Sequence, residues 1–515
     1  MKGRGRTTLG VAILVAWIGM LGLNARREYF QSELTQLAEA ALALDPGVNF
    51  YSLRMGDRAV GLATSRLDTV PGGFELEDVM SLELPALGQT GTATARTRVT
   101  LSESLVMRDF AFTLDSEVGE FEAEGSMEGD TLLRVTVSAG GAPEALTFRL
   151  SEPPIFAAIL PIRVAMGGEL AVGSELRLPV FDPSTLSTRV VEVRVLEQDT
   201  LLVPDSADFD PGTGRWKPAT FDTVPAWRIA EVYGGVQLES WIDGDGRIVE
   251  ASSPLGFSMR RTEFELARQD RDDGRTLASS PVDDDLILST AVQADVPIGD
   301  LEEAGQLRFR LGGVDLSGFD LDGGRQELRG DTLVVTREAW ETLDPSYDLP
   351  YPRMDLRETL RPEPLIQSDD PQIREVAEVA TRWRQRWTHD PKRVAEDLSQ
   401  WVYGYLEKSI TFSVPSALQV LEGRQGDCNE HTVLFVAMAR ALGLPARTAV
   451  GLVYVDGAFY YHAWPEVWLD EWVAVDPTFG QTPADAAHIR FVVGGLAQQV
   501  EIVRLIGRLE IEVLQ

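Results

Sequence analysis

Gly426-Asp427-Cys428-Asn429-Glu430-His431, running on through an apolar stretch from Val433 to Leu442 and halted by Gly443-Leu444-Pro445, decides how this chain is read. An aspartate at 427 can cap a helix, because its carboxylate accepts backbone N–H groups that have no partner in the first turn. Glu430, three residues on, completes a capping box. The body that follows is apolar nearly all round, which predicts a helix at the centre of its domain. Gly443 and the proline beyond it end that helix. Cys428 therefore belongs to the first helical turn, where unpaired N–H groups and the positive end of the helix dipole favour a thiolate. Asp427 and Glu430 oppose that effect through their own charges, so a histidine partner is needed to settle the ionisation.

Cys428 is the chain's single cysteine. An internal disulfide is excluded, and so is a cysteine-rich metal site. Beyond Pro445 the pattern turns to strands at 448–455, 459–469 and 472–475, the first two joined by an Asp456-Gly457 hairpin signal. His462, Trp464, Glu466 and Trp468 share one face of the second strand, and Asp476 closes the third, just before Pro477. For His462 and Asp476 to share a face, paired residue numbers must sum to an even value. A two-residue turn at 470–471 gives an odd sum. A three-residue loop at 469–471 pairs Trp464 with Asp476 and makes His462 its diagonal neighbour. We expect that loop or an equivalent bulge.

These three segments in this order resemble the transglutaminase-like superfamily of papain-like thiol folds. Residues 426–431 are similar to its nucleophile segment, Tyr461-His462-Ala463-Trp464-Pro465-Glu466-Val467-Trp468 to its histidine strand, and Trp472-Val473-Ala474-Val475-Asp476-Pro477-Thr478 to its aspartate strand. The resemblance covers roughly 370–490. It implies Cys428 as nucleophile, His462 as base and acid, and Asp476 as the group that orients the imidazole. It implies attack on an amide carbonyl of a protein or peptide, with a thioester that passes to water (hydrolysis, the favoured reading) or to an amine (protein-glutamine crosslinking). A non-catalytic envelope binding or scaffold module is the third alternative. The N–H groups at the helix start can hold the oxyanion, and Trp401, Gln419 and Gln425 are candidates for a second donor. No cofactor is implied. The calcium sites of the animal crosslinking enzymes have no counterpart here, so calcium is not carried over.

Other polar residues have plainer readings. His431 stands one turn after Cys428 and is the rival base, but it has no obvious carboxylate to orient it. His389 and His488 have no motif around them and read as surface or structural. Glu466 reads as an arginine partner. Cys428, His431, His462 and Asp476 are all ligand types for zinc, but the close ligand pairs usual in zinc sites are absent, so no metal is expected.

The whole chain has 515 residues, a net charge of -33 and a pI near 4.5, which argues against nucleic acid as a partner. Lys2, Arg4 and Arg6 precede an apolar run at 9–23, and Arg26 and Arg27 follow it. We read 1–30 as an uncleaved signal anchor in the membrane, with the bulk periplasmic or extracytoplasmic; secretion after cleavage is the alternative. Residues 31–268 alternate as strands with glycine-rich turns and form a β-rich domain, structural or substrate-presenting. The charge-dense stretch 269–284 reads as a linker and 285–365 as a second β-rich unit. Helices opening at Pro371 and after Asp390-Pro391 introduce the thiol domain, 366–515, whose sheet the last residues, 488–515, complete. In the first helix, Ile373, Val376, Val379, Ala380 and Trp383 are expected on the buried face. The fold class is thus multidomain: antiparallel β-rich N-terminal domains, then an α+β C-terminal domain.

Overall fold

The computed structural model describes residues 33–514 apart from 87–88, 169, 234–235, 254–255, 278–289, 302, 384–388 and 412. The expected anchor at 1–30 lies outside the described residues, and among these no helix is long and apolar enough to cross a membrane.

The N-terminal half is a single fifteen-stranded sheet. Strands from Gly47–Met55 to Glu144–Arg149 form an antiparallel meander, and those from Glu175–Asp182 to Phe257–Thr262 form another. The two join where Phe257–Thr262 pairs with Gly47–Met55. Strict alternation explains why one face is apolar. Glu120–Glu128 buries Phe121 and Ala123 between exposed glutamates, and Leu132–Ser138 buries Leu133, Val135 and Val137. Each such side chain contributes about 1.5–3 kcal/mol when fully buried. The apolar face closes on the helix Leu160–Met166, whose Leu160, Ile162 and Val164 pack in one core with Phe110, Phe156 and Phe181.

The stretch expected as a linker starts inside a helix, Phe264–Leu277. Its first turn meets the sheet with Phe264 against Phe50 and buries Leu266 and Ala267, but from 269 onward its contacts there are polar, which is why that stretch shows little apolar period. Asp270 accepts from Ser52 Oγ at 2.9 Å, Gln269 accepts from the Trp216 amide at 2.7 Å, and Gly274 lies so close to the sheet that a Cβ there would meet the Ala59 carbonyl oxygen at 2.0 Å.

In the C-terminal half, Ala458–Trp468 pairs with Ala446–Val455 along one edge, and Val292–Gln293 and Trp472–Ala474 share its other edge. His488–Val493 flanks Ala446–Val455. Helices Pro371–Ala380, Pro391–Tyr405 and Ala417–Gly423 surround the helix Cys428–Ala441, with Ile373, Leu398 and Phe435 fully buried among them. Within Pro371–Ala380, Ile373 and Ala377 are the buried positions, one turn apart, whereas Val379 is 70% exposed and does not belong to the expected apolar face. The unit read as separate at 285–365 shares a core with the segment after it: Phe309, Leu333 and Val335 pack with Leu452, Phe459 and Phe491. Of the last residues, His488–Val493 joins the central sheet as expected, but Glu510–Val513 pairs with Gln306–Gly312 instead. An alternating four-residue strand fits either edge, and the sequence pattern alone does not choose between them.

Candidate active site

The helix begins at Cys428 with Asp427 as its cap. Asp427 Oδ1 accepts from the Asn429 amide at 2.8 Å, and Glu430 Oε2 accepts from the Asp427 amide at 2.9 Å, so both arms of the capping box are made. Glu430 is buried and its other oxygen accepts from Thr411 Oγ1 and Ser413 Oγ, each at 2.7 Å. Gly426 is required here because a Cβ would meet the Glu430 side chain at 2.2 Å. Gly443, with φ +79°, ends the helix against Pro350.

Cys428 is half-buried, and the backbone N–H of Ala463, next to His462 on the neighbouring strand, faces its sulfur. Burial pushes the thiol well above its ordinary range, and the charge of Asp427 adds to this, outweighing the Ala463 N–H. Asp427 is itself raised by burial and by Glu430 beside it, so its own opposition to a thiolate weakens.

The hairpin carrying the other two residues has the three-residue loop. Glu466 pairs with Ala474, Val467 with Val473 and Trp468 with Trp472, leaving 469–471 as the turn, with Asp470 at φ +66°. The even register puts His462 and Asp476 on one face, where His462 Nε2 donates to Asp476 Oδ2 at 2.7 Å. Both side chains are buried. This bond leaves Nδ1 as the imidazole's other nitrogen. Asp476 Oδ1 accepts from the amides of Thr478 and Phe479 at 2.7 and 3.1 Å. Burial alone would raise this carboxyl, but the two imidazoles beside it, His462 and His488, hold it far below the usual carboxylate range.

His488 is the residue that sequence reasoning missed. It is fully buried; its Nε2 bonds the same Asp476 Oδ2 at 3.0 Å and its Nδ1 bonds Asp485 Oδ1 at 2.9 Å. With a carboxylate at each ring nitrogen, both nitrogens are donors and the ring is an imidazolium. Burial would lower its pKa, and the bonds to Asp476 and Asp485 raise it instead. Asp485 is held at about 2, since His488, Gln481 and the Ala487 amide outweigh the cost of its burial. Gly451 lies between the two histidine strands, opposite His462 on one side and Arg490 on the other, and a Cβ there would meet the Ile489 carbonyl oxygen at 1.9 Å. No motif marked His488, because its carboxylates are supplied by the loop before it and by the fold.

Trp464 is fully buried with its ring edge-on to His488 at 5.2 Å, and Phe479 covers His462 at 5.1 Å between ring centroids. Glu466 pairs with Arg447 at 2.6 Å and Arg490 at 3.0 Å, as an arginine partner should. His431 bonds the Asp427 carbonyl through Nδ1 at 2.6 Å, and burial lowers its pKa. His389 stacks on Trp383 at 4.2 Å, a packing role. Gln419 is not at the site: its amide donates to the Glu120 carbonyl oxygen at 2.6 Å, across to the large sheet. Trp401 stacks on Tyr405, and Gln425 pairs with Glu407. Among the described residues, the one group with metal-ligand atoms within 4.8 Å of each other is His462, Asp476 and His488, not the Cys428 set. Its three facing atoms are already joined by hydrogen bonds through one carboxylate oxygen.

Residues 379–477 match the sequence model of the transglutaminase-like superfamily. No curated protein matches the chain. Among solved structures, a protein of Cytophaga hutchinsonii described as a candidate cysteine protease is similar at 15% identity, over 40% of this chain and 83% of its own, with a TM-score of 0.26. The periplasmic domain of TgpA from Pseudomonas aeruginosa is similar at 17% identity, over 36% and 74%, with a TM-score of 0.24. A β-barrel-like protein of Brucella abortus is similar at 17% identity, over 42% and 95%, with a TM-score of 0.31. The C-terminal part of this chain, with Cys428 opening its central helix, is a transglutaminase-like domain.

Proposed function

We propose that this chain is a thiol hydrolase of protein or peptide amide bonds, working through Cys428, His462 and Asp476, and held at a membrane by residues 1–30 with its bulk extracytoplasmic. The observation that carries the reading is the 2.7 Å bond from His462 to buried Asp476, on the strand whose next amide faces the Cys428 sulfur.

Asp476 fixes the imidazole with N–H at Nε2, so that a neutral ring offers its lone pair at Nδ1. Since burial favours the thiol over the thiolate, the proton leaves Cys428 for His462 as the sulfur bonds the carbonyl carbon. The Cys428 backbone N–H stabilises the oxyanion, since the Asp427 carboxylate already takes up the Asn429 amide. Collapse of the adduct breaks the C–N bond, and His462 returns its proton to the leaving amine. Water, deprotonated by His462, then cleaves the thioester to a carboxylate and restores the thiol.

Peptide mass spectrometry of envelope proteins exposed to the wild type and to Cys428→Ser tests this. New peptide termini that depend on Cys428 are expected. Crosslinks with loss of ammonia would replace hydrolysis by acyl transfer, and identical peptide sets would sink the enzyme reading.

A further inference from the structure

One face of the fifteen-stranded sheet packs against the helix Leu160–Met166, and beside that helix, with Pro161 and Ile162 in the wall, lies a cavity of about 540 Å³. The size is that of a small-molecule site, for which about 300–1,000 Å³ is usual. The wall follows the strand period. Leu53, Ser65, Leu67, Leu76, Asp78 and Met80 line it, and within each strand they alternate with residues of the other face. Most of the wall is hydrocarbon. Glu231, Glu239, Arg247 and several hydroxyls also line it, but Asp78 stands apart: Ser65 bonds its carboxylate, while its Oδ1 is buried with no hydrogen-bond partner among the described residues. A buried acceptor without a donor costs about 1–3 kcal/mol, so an orphan aimed into a cavity points to a ligand that supplies the donor.

The other charges nearby are already matched. Of the charged groups in the wall, Arg247 is paired with Asp245 at 3.8 Å and Glu239 with Arg228 at 3.3 Å, whereas Asp78 has no ion-pair partner among the described residues. The ligand must therefore bring an apolar body and one donor, and a cation suits it best. A peptide fits less well, because each of its residues carries an N–H and a C=O, and a wall that is mostly hydrocarbon satisfies few of them. We propose that the β domain binds a long-chain amphiphile in this cavity, with its hydrocarbon against Leu53, Leu67 and Met80 and an ammonium head on Asp78. Burial raises the Asp78 carboxyl to about 6 against the hydrogen bond from Ser65, and an ammonium beside it would favour its charged form. The cavity belongs to the β domain, so the proposal stands whether or not Cys428 acts on amides.

The test uses the full chain in phospholipid nanodiscs and a long-chain alkylamine carrying a diazirine at the chain end. After irradiation, peptide mapping should place the label on peptides containing Leu53, Leu67 or Met80, and excess unlabelled alkylamine should remove it. Asp78→Asn keeps the shape and should lower this labelling about tenfold, while labelling by the matching alkyl alcohol stays within about twofold. Ala63→Trp, which fills the cavity, should abolish both, with an unchanged circular dichroism spectrum confirming the fold. Label confined to 9–23, labelling indifferent to Asp78→Asn, or capture of a diazirine-bearing apolar peptide in place of the alkylamine would each overturn the proposal.

Discussion

At the scale of residues, the site is a chain of charges whose order matters. Asp476 shares one oxygen between His462 and His488, and Asp485 holds the far side of His488. Removing His462 should strip the thiol of its proton acceptor. In His462→Gln, alkylation of Cys428 by iodoacetamide at pH 7 should fall about 100-fold or more, and its pH midpoint should rise above that of the wild type. An unchanged profile would remove His462 from the mechanism. His488 acts one step further back. Its positive charge offsets Asp476, so His488→Gln should leave a full negative charge facing His462 and move the acidic limb of the pH–rate profile to higher pH. A role in packing alone would lower the rate without moving the limb. Stability responds too. His488 has a raised pKa, so its contribution is complete below about pH 6.5 and is lost as pH rises through the folded value. The urea midpoint of the wild type should exceed that of His488→Gln by the equivalent of about 3–5 kcal/mol at pH 6, and the gap should narrow by pH 9. Asp485 works in the opposite direction: its contribution is present above about pH 4 and fades as pH falls toward 2. The helix-start position of Cys428 and the pairing of His462 with Asp476 were legible because each residue stands in a local motif. His488 was not, because what makes it an imidazolium is two carboxylates brought to it by separate turns.

At the scale of elements, the hairpin loop decides whether a site exists. Residues 469–471 set the even register, and a shift of one residue would send Asp476 to the other face of the sheet. The loop is anchored as well: Asp470 accepts from Ser346 Oγ at 3.0 Å, and the Leu469 amide donates to the Glu471 carbonyl at 2.8 Å. Deleting Glu471 should therefore abolish detectable turnover. The substitution Glu471→Gly keeps the loop length and should retain most of the turnover, since the count and not the side chain carries the register. Near-UV circular dichroism of the deletion variant would show whether the domain still packs. Parity arithmetic on two short strands, joined to the expected pairing of His462 with Asp476, was sufficient to read this much from sequence, as was the capping box that starts the cysteine helix. The same kind of reading failed where periodicity had nothing to count. From 269 onward the helix Phe264–Leu277 touches the sheet through Gln269 and Asp270, so the inward face of that part carries the polar residues that mark a linker. Val379 failed for the opposite reason, as an apolar residue off the Ile373–Ala377 face.

At the scale of the whole molecule, the β domain and the thiol domain are joined through the helix Ala417–Gly423. Ser416, its cap, donates to the Ala139 carbonyl at 2.6 Å, Gln367 donates to the same oxygen at 3.0 Å, and Gln419 donates to Glu120 at 2.6 Å. Val118, in a turn of the large sheet, is buried in the core of the thiol domain. A cleft of about 230 Å³ runs between the two, lined by Phe121 and Leu186 from the β domain and by Asn429, the neighbour of Cys428, from the helix. On the proposed mechanism, a β domain that forms one wall of a cleft against the first turn of the Cys428 helix can shape what reaches the thiol, so docking and activity should fail together. Gly140 is the point to press. It has φ +73°, a conformation that side chains rarely adopt, and a Cβ there would meet Gln419 Cγ at 2.5 Å. Gly140→Val should cost about 1–3 kcal/mol. It should expose 118–141 to limited proteolysis before either domain unfolds and lower turnover of a peptide substrate while leaving alkylation of Cys428 by a small reagent nearly unchanged. If turnover and alkylation fell in parallel, the β domain would be supporting the fold of the site and not its access. If neither fell while proteolysis increased, the two domains would work independently.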